Sequence, residues 1–75
     1  MTYTKLQKLL PQEEINFLDD CEVFFNENPN LYDSYLEDYK FILFEYTTEV
    51  INTLKKNNIK YLVKTDSLNS SIILI

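Results

Sequence analysis

The chain has 75 residues, 45% of them hydrophobic and 15% aromatic, with twelve acidic side chains against seven lysines and a formal net charge of −5. One domain of this size buries only about 60% of the surface its unfolded chain exposes, yet its apolar content takes it out of the disordered class. With no histidine, no glycine and one cysteine, it lacks a nucleophile and base pair, a Gly-rich phosphate cradle and a zinc ligand set, so catalysis, a cofactor and a metal are not expected.

The N-terminal stretch from Met1 to Leu10 has Leu6, Leu9 and Leu10 at helical spacing, and Thr4-Lys5-Leu6-Gln7 has the form of a capping box. A short helix or turn fits it, and Thr and Tyr also allow an extended course over residues 2–6. Pro11 suits the first position of a new helix, with Glu13 and Glu14 in its first turn. That helix, over about 11–26, gathers Phe17, Leu18, Cys21, Phe24 and Phe25 on one side. Cys21 is lone and apolar in its surroundings, which makes it a packing residue and agrees with a reducing cytoplasm.

Asn26-Glu27-Asn28-Pro29-Asn30 is turn chemistry, short enough to fold two helices into an antiparallel hairpin. The second helix is predicted over about 31–56, where Tyr32, Tyr35, Leu36, Tyr39, Ile42, Leu43, Tyr46, Val50 and Leu54 fall on one face and no Gly or Pro interrupts. Lys55 and Lys56 complement its C-terminal dipole, and Asn57-Asn58 tolerates the left-handed conformation of a helix end. Alternation over 59–64 and the apolar run over 70–75 predict a closing β-hairpin. At least two of Ile72, Ile73, Leu74 and Ile75 should be buried, since an undocked β-prone run of that kind is an aggregation hazard. The expected architecture is therefore one α+β domain over 1–75, mainly helical, built on a helical hairpin between a short N-terminal helix or turn and a β-hairpin.

Charge is unevenly distributed. Eleven of the twelve acids lie between Glu13 and Glu49, opposed only by Lys40. Acids in early helical turns complement the dipole, but Asp19, Asp20, Glu22, Glu27, Glu45 and Glu49 have no such role and repel one another. A basic partner would relieve that repulsion. Asp19, Asp20, Glu27, Glu45 and Glu49 are the candidate contacts, on a protein partner that handles nucleic acid, with carboxylates repeating at about 6 Å along a helix in place of phosphates. Small inhibitors from phages and mobile elements, anti-restriction and anti-CRISPR proteins among them, often share this size and charge, and the Asn, Lys, Ile and Tyr usage is that of an AT-rich genome. Direct nucleic-acid binding is not expected without a basic patch. No apolar run approaches the roughly 20 residues of a membrane span.

A second expectation follows from Phe41, Phe44 and Ile51, which leave the tyrosine face of the long helix as a second apolar stripe. Such a stripe is either covered by other parts of the chain or forms the contact of a homodimer, the chain then being a self-associating structural or regulatory subunit.

Overall fold

The computed structural model describes residues 2–75 and shows a small α+β domain. The order is α1 (Tyr3–Leu9), β1 (Asn16–Phe17), a 3-10 turn (Leu18–Cys21), α2 (Glu22–Glu27), two further 3-10 turns (Pro29–Leu31 and Ser34–Asp38), β2 (Phe41–Leu43), α3 (Thr48–Lys56), β3 (Leu62–Thr65) and β4 (Ser71–Leu74). The four strands form one antiparallel sheet in the order β1-β2-β4-β3.

The two central strands, β2 and β4, bury side chains on both faces of the sheet. Phe41, Leu43, Ile73 and Ile75 point to one side and pack with Leu6 and Leu10 of the α1 region and Val50, Ile51 and Leu54 of α3. Ile42, Ile72 and Leu74 point to the other, against Cys21, Phe25, Leu31 and Leu36 from α2 and the turns around it. Alternation along a strand sends successive side chains to opposite faces, so a sheet covered on both sides needs an unbroken apolar run. Phe41-Ile42-Leu43 and Ile72-Ile73-Leu74-Ile75 are those runs, and all seven side chains are buried. The burial of Ile72 to Ile75 contributes on the order of 1.5–3 kcal/mol for each side chain.

The helix predicted over 31–56 does not form. Its last third survives as α3, its middle is β2, and its start is two 3-10 turns. The backbone of the middle segment bonds to β4 instead of to itself: Ile75 N–H donates to Phe41 O at 2.9 Å and Phe41 N–H donates to Ile75 O at 2.9 Å. Tyr32, Tyr35 and Tyr46, expected on a buried face, are half exposed. The helix predicted over 11–26 is also shortened to α2, because Pro11 and Gln12 form a turn that brings Ile15 into the core and lets Asn16 and Phe17 pair with Ile42 and Phe41. With both helices reduced, the antiparallel helical hairpin is replaced by helical layers on two sides of a sheet.

Local chemistry accounts for the helices that remain. Thr2, two residues before the expected cap, accepts a hydrogen bond from Lys5 N–H at 3.3 Å and starts α1. Thr47 accepts from Val50 N–H at 3.2 Å and starts α3, with Glu49 in its first turn and Lys55 and Lys56 in its last. At its other end Asn58 takes φ 57°, its N–H donating to Lys55 O and that of Ile59 to Leu54 O. This is a Schellman closure with Asn in the left-handed position, and it seats Ile59 beside Leu54 in the core. The hairpin of β3 and β4 pairs Leu62 with Leu74 and Val63 with Ile73. Its loop is held by Asp66, whose Oδ1 accepts from Leu68 N–H and Ser70 N–H, both at 2.9 Å.

Candidate functional site

On the α2 side of the sheet, the chain turns through residues 29–38 without regular helix and leaves a groove of about 590 Å³ between those turns and α2. The reason is local. Pro29 opens one 3-10 turn and Ser34 another, and each drops a single leucine, Leu31 and Leu36, into the core. The polar residues between them are left at the surface.

The floor of the groove is apolar, formed by buried Phe25 and Leu36 with half-buried Leu18 and Tyr39. Its rim carries Asp19, Glu22 and Glu37, all exposed, together with Asn26, Pro29 and Tyr32. No lysine is among its lining residues. The Tyr32 ring is braced edge-on against Phe25, with centroids 5.5 Å apart and planes at 71°. α2 itself is anchored from two directions. Phe24 meets Phe44 at 4.9 Å beyond the end of β2, and Asn28 closes the helix by donating from its side chain and its backbone to Phe24 O.

The rim charges have no partner within the described residues. The one ion pair there joins Lys64 of β3 to Asp33, away from the groove lining. The Lys64 hydrogen bond holds the Asp33 carboxyl below its ordinary value against the opposing effect of burial, with help from the Tyr35 hydroxyl. For Lys64, burial alone would lower the ammonium pKa, but Asp33 and Tyr35 outweigh it and raise it. Other lysines gather elsewhere: Lys5, Lys40 and Lys60 line a separate depression of about 430 Å³ around Asn57 and Asn58.

The five acids singled out from the sequence are all exposed, but the fold does not bring them to one face. Asp19 and Asp20 lie in the first turn of the 3-10 segment before α2, Glu22 lies in the first turn of α2, and Glu27 ends α2. Contrary to the expectation from sequence, Asp19, Asp20 and Glu22, like Glu49 on α3, do sit at helix starts, because the helices begin later in the chain than predicted. Glu45 lies in the connection after β2. Glu49 lies on α3, across the sheet, where it borders a shallow depression of about 230 Å³ with Glu13, Leu10 and Val50. The regular 6 Å row of carboxylates expected along one long helix is therefore absent, because that helix is. Glu22 and Glu37 complete the acidic rim and were not among the candidate contacts; their approach depends on the turns over 29–38. The apolar stripe dissolves as well. Phe41 and Ile51 are 4% and 7% exposed inside the core, and only Phe44, at 40%, reaches the surface.

Cys21 is buried and its Sγ donates to Phe17 O at 3.3 Å. Burial, and then the Asp20 charge, raise its pKa, so the thiolate is disfavoured. Among the described residues no three His, Cys, Asp or Glu side chains are placed to hold a metal ion, and no helix is long and apolar enough to cross a membrane.

Compared with known proteins, the chain matches no family model, no curated protein and no solved structure.

Proposed function

We propose that this chain is a small acidic inhibitor or adaptor that docks, through its α2 side, on a basic surface of a partner protein, one whose own ligand is a nucleic acid. The observation that carries the proposal is the set of acids without an internal counter-charge. Of the twelve acidic residues, only Asp33 has an ion-pair partner within the described residues, and Asp19, Asp20, Glu22 and Glu27 crowd onto one short segment beside the groove. Like charge at that density costs stability through self-repulsion, and a basic partner turns the cost into attraction and fast encounter.

Loss of the long helix changes the form this docking takes. A duplex-like ladder of carboxylates is replaced by a compact acidic rim around an apolar floor, so the partner's basic site is blocked by a matched patch instead of by an imitation of the phosphate spacing. Anti-restriction and anti-CRISPR inhibition belong to this class of function.

The test is cleavage by a basic restriction or RNA-guided nuclease in the presence of the purified protein at rising salt. Inhibition should fall steeply with salt and weaken when Asp19, Asp20 and Glu27 are replaced by Asn and Gln. Inhibition that is indifferent to salt and to these replacements would contradict the proposal.

A further inference from the structure

We infer that the groove beside α2 receives a single lysine or arginine side chain from a basic segment of the partner; this deepens the docking proposed above and rests on it. A cationic side chain of this kind has two parts with opposite demands, an aliphatic stem of three or four carbons and a charged head. The groove meets both. Half-buried Leu18 and the edge of Phe25 that remains accessible offer the stem apolar surface, and Asp19, Glu22 and Glu37 offer the head carboxylates from the rim, with no lysine of the chain itself in the lining.

At about 590 Å³ the space lies within the ~300–1,000 Å³ of ordinary ligand pockets and leaves room for the peptide backbone on either side of the side chain.

The aromatic wall adds attraction for the same head group. An ammonium or guanidinium over a tyrosine face is held by the ring quadrupole. Among the described residues that contact is already made by two lysines: Lys60 Nζ lies 5.1 Å from the centre of the Tyr39 ring and Lys64 Nζ lies 5.3 Å from that of Tyr35. Tyr32 is free of such a lysine, half exposed and fixed in orientation by Phe25. It is the ring available to an incoming cation, since Tyr39, which also lines the groove, already holds Lys60.

The experiment is a titration of the isotope-labelled protein by two short peptides, identical except that one carries lysines where the other carries norleucines, followed by amide chemical shifts. The lysine peptide should shift the amides of Asp19, Glu22, Phe25, Tyr32 and Glu37 and the norleucine peptide should not. The paired change Asp19→Asn, Glu37→Gln should weaken lysine-peptide binding at least tenfold. Tyr32→Leu, which keeps apolar bulk and removes the ring, should weaken it about two- to fivefold, the size of an exposed cation–π contact. Unchanged circular dichroism would establish that the variants remain folded. If the lysine peptide binds with steep salt dependence but shifts amides elsewhere on the α2 side, around Glu27, the groove assignment is overturned while acidic docking stands; shifts around Glu49 on the α3 side would overturn both. If neither the peptide nor a long polylysine binds, acidic docking fails and the groove assignment with it. Equal shifts from both peptides would make the groove an apolar site and also overturn the assignment.

Discussion

Leu43 and Ile73 stand opposite one another on the two central strands, 1% and 0% exposed, and join the two apolar runs on which the fold is built. Each belongs to the same core cluster as Leu6 and Leu54, so a cavity opened at this pair touches α1 and α3 together. Ile73→Ala and Leu43→Ala should each lower the unfolding free energy by about 2–5 kcal/mol in urea. The double variant should depart from additivity, because the two sites share neighbours. Leu68→Ser, at 83% exposure in the β3–β4 loop, should stay within about 0.5 kcal/mol of the parent chain.

The same pair marks the limit of what is legible along the sequence. Four apolar residues in a row predict a strand at Ile72–Ile75, while at Phe41–Phe44 the surrounding spacing predicts a helix, although both runs are strand-like in composition. A short apolar run fits a buried strand and a buried helix equally well by periodicity, and the tyrosines on either side of Phe41–Phe44 continue a helical spacing. What decides the matter is the pairing of Ile42 with Leu74 and Leu43 with Ile73, about thirty residues distant in sequence. Local signals fared better where the interaction is local. The left-handed end of α3 at Asn58 and its terminal lysines lie where the sequence pattern puts them, whereas the last two strands form over Leu62–Thr65 and Ser71–Leu74 in place of the predicted 59–64 and 70–75. For the site, the exposure of Asp19, Asp20 and Glu27 was readable. The roles of Glu22, Glu37 and Tyr32 were not, because they arise from turns in a segment whose helical pattern is overridden.

The apolar residues around β2 separate into inside and outside in a way that mutation reads directly. Phe41→Glu and Ile51→Glu place a charge in the core and should abolish the cooperative thermal transition. Phe44→Glu should leave the chain folded with a modest loss, since that ring is 40% exposed and packs against the Phe24 ring at the surface end of β2. Light scattering on Phe44→Glu and the parent chain should give the same mass. A parent dimer that this change dissociates would return Phe44 to an interface.

The Asp33–Lys64 pair makes a pH-dependent contribution whose sign is fixed by the two shifts. Asp33 is lowered from 3.8 on folding, so its contribution is present above that value and is lost as pH falls through the folded one. Lys64 is raised from 10.5, so its contribution is present below that value and is lost as pH rises through the folded one. The difference in melting temperature between the parent chain and Asp33→Asn should therefore be level around neutral pH and shrink as pH falls below 3.8. Thermal melts over that range check it. The effect should be small, because the Asp33 side chain is 46% exposed.

Cys21 should resist thiol reagents in the native protein, its thiol being buried, bonded to Phe17 O and biased toward the protonated form. Labelling should proceed at the rate of global or local opening and accelerate sharply in denaturant. Rapid stoichiometric labelling of the folded chain would show that the 3-10 turn before α2 opens readily, and with it one wall of the groove.

The most direct measurement compares the two sides of the sheet for binding to a basic probe. One variant removes two charges from the α2 side with Asp19→Asn and Glu37→Gln, and the other removes two from the α3 side with Glu13→Gln and Glu49→Gln. Affinity for a polylysine peptide, measured by calorimetry at about 0.1 M salt, where surface charges are felt over roughly 10 Å, should fall at least tenfold for the first variant and change less than about twofold for the second. Equal losses from the two variants would mean that the probe senses only net charge, and would contradict a docking surface on the α2 side.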